Sequence, residues 1–543
     1  MATDQALSCA DVVALICSQC NKRTLASLAC TRKDISEIAL DALWYSIPNI
    51  GLLIRCMPED LWEEEEAEDD DEEAAEEIPD KLVSVLSAHP SNCSIDRQTF
   101  RRSILPTDWN RFEINAIRIR RFGHPDSSIT AYTVGIDVYA ALACASVGKT
   151  PLLPRLTDIC WSKWTGFGYS YINLFVLPSI QKCTFDVTGT SGTSVPLLQL
   201  SLLPPLVSAC PHMTHLSLYG LSRAPWQDIE KVLSTLRRWS SLWFLELRDL
   251  PDASMLCMAK LPVLRELIIK NSRETGEEHL PMHVKGFTKL ESLNIVNASI
   301  EFPVELITCM SRTPLQTLRL EFGRDPEAGE LSNLFMAMRR NISQSSLRNL
   351  HIDYVLDKAE LVEEERSITL DELSPLLTFT NLSDVSIALN YEFRLDKEDL
   401  RIITSSWPHL QTLALSSLRP SQYWPLTSIN DFTYFLGHCP SLESLTIAFD
   451  ASEACLGTGK PGGGVCYEKI HTLGVLHSPI GDPGKVAAFL SDIFPNLQEI
   501  RIFCCEELEL PGDYEELEQK WEEVERLVKV FSLVRTQEKM FRL

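Results

Sequence analysis

Apolar residues recur along most of the chain in the pattern L-x-x-L-x-L, with other apolar residues in place of some leucines. Clear windows begin at Met213, Leu242, Leu264, Leu290, Leu315, Leu347, Leu382, Leu410, Leu442, Ile470 and Leu497, and weaker ones at Ile114, Leu156 and Ile180. From Ile180 onward, successive windows lie 22 to 35 residues apart. This is the period of leucine-rich repeats, so the pattern predicts one short strand in each repeat.

Proline marks the same phase independently of leucine. In seven windows a proline lies two residues before the first apolar position: Pro154, Pro178, Pro211, Pro262, Pro408, Pro440 and Pro495. Proline lacks an amide hydrogen and disfavours helical backbone in the preceding residue, so it ends a helix and permits a strand. Between windows, apolar residues follow helical spacing, as at Ile229, Val232, Leu233 and Leu236.

This alternation of strand and helix predicts an α/β leucine-rich-repeat solenoid. Because parallel crossovers are right-handed, the strands should form a parallel sheet on the concave face, with the helices outside. The alternative is an ordinary α/β domain with leucine-rich strands. We predict a connecting helical segment over 81–112, the solenoid over 113–510 and a capping helix over 511–543.

Composition and charge narrow the possible partners. The 543 residues carry a net charge of -25, and 15 acidic residues lie within 59–80, where there is no Lys or Arg. Such a run predicts an acidic disordered insertion, and the overall charge disfavours nucleic acid as a partner. Apolar runs are too short to cross a membrane, and the seventeen scattered cysteines are typical of reduced thiols. We therefore expect an intracellular protein of the cytoplasm, the nucleus or both.

Residues 5–48 precede every repeat, and their apolar spacing predicts three short helices. The order of residues resembles an F-box, with a leading Leu7, the turn Asp11-Val12-Val13, the helix Thr24-Leu25-x-x-Leu28-Ala29 and a closing Leu43-Trp44. Followed by leucine-rich repeats, the segment is similar to the fungal F-box/leucine-rich-repeat family. One departure is Ser8, where the family usually has proline.

The resemblance implies a substrate-recognition subunit of an SCF-type cullin-RING ubiquitin ligase, which acts in ubiquitin-dependent protein degradation. In that family the F-box binds a Skp-type adaptor, and through it the cullin, while the repeats bind a protein substrate. Carried over residue by residue, the adaptor contacts are Leu7, Ser8, Val12, Val13, Ile16, Leu25 and Leu28. The alternative for each apolar position is that it only forms the core of the helical domain.

Candidate substrate contacts come from the strands. Residues that flank the inward leucines point to the predicted concave surface. On this basis the candidates are Glu246, Arg248, Glu266, Lys270, Arg319, Glu321, His351 and Asp353. The alternative for each is a solvated face without a partner. For the whole chain, the main alternative is a repeat scaffold whose degenerate F-box no longer engages the ligase.

Motifs that carry chemistry do not change this interpretation. Cys9, Cys17, Cys20 and Cys30 could be read as a zinc site, but two of them occupy apolar F-box positions, which favours packed thiols. The glycine-rich run 457–464 fails as a phosphate loop, because its lysine precedes proline rather than Ser or Thr. We expect no catalytic residue, metal or cofactor. An enzyme with a spatially assembled site remains a third hypothesis, which a deep pocket with convergent titratable groups would support.

Overall fold

The chain divides into two compact units, Met1–Leu250 and Pro251–Leu543. Within each unit short parallel strands alternate with helices, so the predicted α/β leucine-rich-repeat fold is confirmed. The structure, a computed structural model, describes residues 9–65, 96–124, 132–146, 148, 151–161, 169–186, 195–219, 226–248, 258–270, 285–354, 367–417, 424–454, 464–502 and 513–541.

Three helices open the first unit: α1 (Ala10–Ser18), α2 (Lys22–Ala29) and α3 (Lys33–Leu43). Asn21 caps α2, because its side-chain oxygen accepts a hydrogen bond from the Thr24 amide at 2.9 Å. Such a bond satisfies one of the amides that the start of a helix leaves unpaired. The helices enclose a small core of Val13, Cys17, Leu25, Ile35 and Ala39. The predicted three-helix segment therefore forms.

The remainder of the first unit carries six strands in one parallel sheet, in the order β1-β4-β6-β7-β8-β9, and a separate sheet β2-β3-β5. The strands are β1 (Ser46–Ile47), β2 (Trp62–Glu65), β3 (Asp96–Phe100), β4 (Arg121–Phe122), β5 (Tyr132–Val134), β6 (Asp158–Trp161), β7 (Lys182–Asp186), β8 (His215–Tyr219) and β9 (Phe244–Arg248). The helices are α4 (Gly51–Ile54), α5 (Trp109–Ala116), α6 (Ile136–Ala145), α7 (Val195–Ala209) and α8 (Trp226–Thr235), with 3-10 turns at Pro106–Asp108, Tyr169–Leu174 and Leu236–Arg238.

The second unit carries nine parallel strands in the order β10-β11-β12-β13-β15-β17-β18-β19-β20 and a small pair, β14-β16. The strands are β10 (Glu266–Lys270), β11 (Ser292–Ala298), β12 (Thr317–Phe322), β13 (Asn349–Tyr354), β14 (Ser367–Ile368), β15 (Asp384–Leu389), β16 (Glu392–Phe393), β17 (Thr412–Ser417), β18 (Ser444–Thr446), β19 (Thr472–Leu476) and β20 (Glu499–Ile502). The helices are α9 (Glu301–Thr308), α10 (Ala328–Asn341), α11 (Leu370–Leu373), α12 (Lys397–Ser406), α13 (Phe432–Phe435), α14 (Pro483–Ile493) and α15 (Asp513–Phe541), with 3-10 turns at Ser374–Thr378, Ile429–Asp431 and Leu436–His438.

The leucines of each window form the core. In the window of β11, the side chains of Leu290, Leu293 and Ile295 are buried, whereas Ser292 and Asn294 between them are half-buried. Side chains alternate between the two faces of a strand, so the second and third apolar positions point to the same side. Burial of one such side chain stabilises the fold by about 1.5–3 kcal/mol. The repeat pattern is therefore the pattern of one buried sheet face.

A backbone contact repeats from strand to strand. The carbonyl oxygen of Arg265 accepts hydrogen bonds from the amides of Glu291 and Ser292, at 2.7 and 2.9 Å. The carbonyl of Glu291 accepts in the same way from Gln316 and Thr317. Each doubly accepting carbonyl lies just before a strand, so it fixes where the next strand begins. The same contact is made by the carbonyls of Tyr45, Arg120, Thr157, Gln181, Thr214, Gln316, Arg348, Ser383, Gln411, Glu443 and His471.

The window at Ile114 does not form the predicted strand. Its first residues belong to or follow α5, and Ile114 and Ile117 are exposed. Trp109, Phe112 and Ala116 are buried instead. These three residues are spaced for one helical face, so the helical period outweighs the leucine pattern here.

The parallel sheet begins earlier than predicted. Ser46 and Ile47 of β1 pair with Arg121 and Phe122 of β4. The first strand therefore follows α3 directly, within the segment that the sequence assigned to the helical domain. The segment 81–112, predicted to be helical, contains the strand β3 before α5 begins.

The acidic segment predicted to be disordered over 59–80 begins with a strand. β2 pairs antiparallel with β3, and Arg101 binds Glu63 at 2.6 Å across this pair. Arginines that face the first acidic residues offset the repulsion among like charges. Residues 66–80 of the predicted insertion lie outside the described residues.

The chain closes with the predicted capping helix, α15. Its residues Trp521, Val524 and Val528 are buried, and the Trp521 indole donates a hydrogen bond to the Ser478 carbonyl at 2.9 Å. Arg535 donates to the carbonyl of Ala488 on α14 at 3.1 Å. α15 therefore packs against α14 and the neighbouring repeat, although Val530, Leu533 and Val534 on its outer side are exposed. Within the described ranges, no helix combines the length and apolar character needed to cross a membrane.

We expect Trp521→Ala to lower the free energy of unfolding by about 3–5 kcal/mol, because it leaves a large cavity and removes the bond to Ser478. Urea unfolding of the full chain measures this change. Leu533→Ala, at an exposed position of the same helix, should change the stability by less than about 0.5 kcal/mol. Equal effects of the two substitutions would contradict the capping role of Trp521.

Two glycines of the second unit should respond to alanine with opposite signs. A Cβ atom at Gly286 would lie 2.2 Å from the carbonyl oxygen of Ala259, whereas a Cβ at Gly329 in α10 would meet no atom within 4 Å. We expect Gly286→Ala to cost about 1–3 kcal/mol through overpacking. Gly329→Ala should add about 0.5–1 kcal/mol through helix propensity. Thermal unfolding of the two variants checks both signs.

Candidate protein-interaction surfaces

Helix α1 has one buried and one exposed apolar face. Val13 and Cys17 point into the core of the helical domain. On the other side the exposed fractions are 38% for Val12, 67% for Leu15 and 44% for Ile16. These three residues are spaced i, i+3 and i+4, so they form one continuous aliphatic stripe. We call this set, Val12, Leu15 and Ile16, the α1 stripe.

The predicted adaptor contacts divide between core and surface. Val12 and Ile16 lie on the α1 stripe, whereas Val13 and Leu25 are buried, and Leu28 packs against the same core. Leu7 and Ser8 lie outside the described residues. Leu15 is absent from the predicted contacts although it is the most exposed of the stripe. Its helical spacing from Val12 is the signal that could have identified it.

Ion pairs and a hydrogen bond connect the helical domain to the repeats of the first unit. Arg118, whose side chain is only 13% exposed, forms ion pairs with Glu37 at 2.5 Å and with Asp41, both on α3. Lys22 donates a hydrogen bond to the Ser46 carbonyl at 3.4 Å. The α1 stripe therefore belongs to a body that includes the first strands.

Two candidate substrate contacts lie in a bonded cluster of the first unit. Ser217 donates a hydrogen bond to Glu246 at 3.4 Å, and the guanidinium of Arg248 lies 4.8 Å from the ring centre of Tyr219. Burial, and then the hydrogen bond with Glu246, raises the pKa of Tyr219. Glu246 is only 9% exposed. Glu246 is therefore almost inaccessible to a partner. Of these two candidate contacts, the half-buried Arg248 is the more accessible.

A second polar cluster of the first unit was absent from the predicted contacts. His124 contacts Asp158 at 2.8 Å, and Arg121 donates to the other oxygen of the same carboxylate at 3.1 Å. Burial works to raise the pKa of Asp158, but the contacts with His124 and Arg121 outweigh it and lower the pKa. No single sequence motif contains all three residues, because they lie in two different repeats.

The structure brings the charged candidates of the second unit together. Arg319 of β12 is in register with His351 of β13, and Glu321 is in register with Asp353. All four lie on the face opposite the buried leucines. The His351 ring also lies 3.6 Å from the Asp384 carboxylate. Glu266 and Lys270 occupy the same face of β10, two strands away from β12.

The pKa values of the two carboxyl groups in register are both raised. Loss of surrounding water, followed by the charge of Asp353, raises the pKa of Glu321, although Lys270 opposes the shift. Loss of water also raises the pKa of Asp353, against the opposing charges of His351 and Arg319. Loss of water therefore outweighs the effect of the nearby cations at both carboxyl groups.

A pocket lies at the carboxyl ends of β17 and β19, where the sequence analysis predicted no site. The exposed fractions of Trp424 and Leu426 are 66% and 53%, which is high for large apolar side chains. Burial lowers the pKa of His477 to about 4, so this ring is neutral at physiological pH. The pocket is lined by Glu392, Phe393, Arg394, Leu415, Ser417, Trp424, Pro425, Leu426, Ala448, Leu476 and His477. The residues come from separate loops and strands, so no periodic pattern marks them in the sequence.

Three buried cysteines of the described repeats pack as neutral thiols. Burial raises the pKa of Cys160 and of Cys439 to about 12 and that of Cys210 to about 11. Of the four N-terminal cysteines, Cys17 is buried in the helical core and Cys9 is exposed. In the described part of the chain, no group of three or more His, Cys, Asp or Glu side chains could hold a metal ion.

The chain is similar to several solved structures. An internalin (inlF) of Listeria monocytogenes is 13% identical over 67% of this chain and 94% of its own, with a TM-score of 0.37. TLR13, in its complex with ssRNA13, is 14% identical over 72% of this chain and 50% of its own, with a TM-score of 0.35. Rad7 of yeast, in its complex with Elc1, is 13% identical over 69% of this chain and 85% of its own, with a TM-score of 0.30. No protein-family model matches the chain, and no curated protein is recognised as its relative.

Proposed function

We propose that the chain is the substrate-recognition subunit of an SCF-type cullin-RING ubiquitin ligase. In this proposal α1–α3 bind a Skp-type adaptor, and the sheet faces bind a protein substrate. The observation that carries it is the α1 stripe, in which an aliphatic surface lies on a helix whose opposite face is already buried. The resemblance of residues 5–48 to an F-box supports the same assignment.

The mechanism of such a subunit is proximity. It contributes no bond-forming residue and no cofactor, and it holds the substrate near the charged conjugating enzyme. Confinement of two reactants in a suitable geometry can replace a large part of the entropic barrier of a bimolecular step. The Arg118 contacts with α3 support this role, because they join the adaptor-binding helices to the first strands.

A repeat scaffold without ligase function is the second candidate. The observation that favours it is the burial of Val13 and Leu25, which leaves fewer of the predicted contacts available to an adaptor. Adaptor binding separates the two candidates. A substitution is a cleaner test than deletion of residues 1–48, because deletion would also remove the strand β1.

We expect Ile16→Glu to weaken adaptor binding by at least ~30-fold, or about 2 kcal/mol, because a charge would replace a central apolar contact. Isothermal titration of the full chain with the Skp adaptor measures the affinity. Ile117→Glu is a matched control, because Ile117 is 43% exposed and Ile16 is 44% exposed in the same unit. The control should bind as the unsubstituted chain does.

Absence of adaptor binding by the folded, unsubstituted chain would refute the ligase proposal and favour the scaffold. Binding that Ile16→Glu leaves unchanged would refute the assignment of the α1 stripe. Equal losses from Ile16→Glu and Ile117→Glu would show that an added negative charge, rather than a lost contact, determines the affinity.

A further inference from the structure

The pocket beside Trp424 exposes apolar surface. Its exposed Trp424 and Leu426 stand near Phe393, Leu415 and Leu476 in the same lining. Coverage of one partner side chain by such a lining is worth about 1.5–3 kcal/mol. Glu392 and Arg394 add one charge of each sign to the lining, so the pocket itself does not select a charged group.

A single row of the sheet runs from the carboxylate pair to β17, and the carboxyl end of this strand contributes to the pocket. Ser416 ends this row on the face opposite the buried Leu415. Its neighbours along the strand, Leu415 and Ser417, belong to the lining of the pocket. Ser416 is in register with Ala388, Ala388 with Asp353, and Asp353 with Glu321. From the carboxylates to β17, this row therefore carries only a methyl group and a hydroxymethyl group. A partner segment laid along this row meets no bulky side chain.

Charge identifies the chemistry of the partner at the far end of the row. Glu321 and Asp353 are neighbours on one face, and their pKa values are raised despite Lys270, Arg319 and His351 around them. Because Glu321 and Asp353 are in register on neighbouring strands, one additional cation can contact both carboxylates and stabilise their ionised forms. The whole chain carries a net charge of -25, which attracts basic partners over a longer range.

We infer that the sheet face of the second unit binds an extended segment of the protein substrate. One Lys or Arg side chain of this segment lies against Glu321 and Asp353, and one apolar side chain enters the pocket at Trp424. The inference rests on the proposed function in that it names the substrate class of the repeats.

Strand spacing sets the distance between the two anchors. Asp353 and Ser416 are two strands apart in the sheet, which corresponds to roughly 10 Å at ~4.8 Å for each step. An extended segment advances ~3.3 Å for each residue, so about three residues span this distance. The basic and apolar residues should therefore stand about three positions apart.

The test is a selection of short random peptides, displayed on phage, on the immobilised full chain. Sequenced pools are compared with a pool from the support alone. We expect enriched peptides to carry Lys or Arg about three positions from a large apolar residue. Adaptor binding is measured on the same preparations, so failure of this inference and failure of the ligase proposal are separate results.

Variants assign the two anchors. The pair Glu321→Gln and Asp353→Asn removes charge without a change of shape, and the pair Trp424→Ala and Leu426→Ala removes the pocket wall. Each pair should lower the enrichment of basic-apolar peptides by at least ~10-fold. Glu499→Gln, on β20 at the end of the same sheet, is the matched control and should leave the enrichment unchanged.

Three results would overturn the inference. The first is enrichment of peptides that lack basic residues. The second is that no peptide is enriched above the pool from the support alone. Enrichment could also survive both variant pairs, which would place binding on another surface. Loss with the carboxylate pair alone would overturn the pocket as the second anchor.

Discussion

Within each unit, a backbone carbonyl just before a strand accepts two amides at the start of the next strand, and the rest of the fold depends on this contact. Because it is made just before the strand, every strand starts at the same height as its neighbour. From Ile180 onward, the windows of one unit can then lie 25 to 35 residues apart while the starts of their strands stay in register. Variation in length is taken up between the strands, where loops tolerate insertions at a small entropic cost.

Because of the same register, the residues that stabilise the fold and the residues available for recognition lie on opposite faces of the sheet. Leucines of alternate positions meet on the buried face, and the positions between them form straight rows on the other face, as at Glu321, Asp353, Ala388 and Ser416. Stability comes from the first set and surface chemistry from the second. Substitution of a charged residue in such a row should therefore have little effect on the core. Glu246 is an exception, because it is buried and accepts a hydrogen bond from Ser217.

The repeats could be predicted from the sequence because burial imposes a period on apolar residues. Where two periods compete, as around Ile114, the pattern was wrong, since Trp109 and Phe112 supply a helical face with more area to bury. The candidate surfaces were predicted less completely. Alternation indicated the face of Arg319 and Asp353, but the burial of Glu246 depends on Ser217, which is distant in the sequence.

Other features leave no periodic trace. The pocket at Trp424 draws its walls from several repeats, and single-repeat patterns cannot report such an assembly. Helical spacing predicts that Val12, Leu15 and Ile16 share a face, but it does not say which face of α1 the neighbouring helices cover. That choice depends on how Leu25 and Ile35 pack, which is tertiary information.

The short junction after α3 has a mechanical consequence. Two residues, Trp44 and Tyr45, separate α3 from β1, and the Tyr45 carbonyl is one of the doubly bonded acceptors. A connection of two residues, with the Tyr45 carbonyl hydrogen-bonded, leaves α3 little freedom to reorient relative to β1. A partner that binds α1 is therefore restricted in its orientation relative to the first strands. A force on the helices is transmitted to the sheet through this short connection.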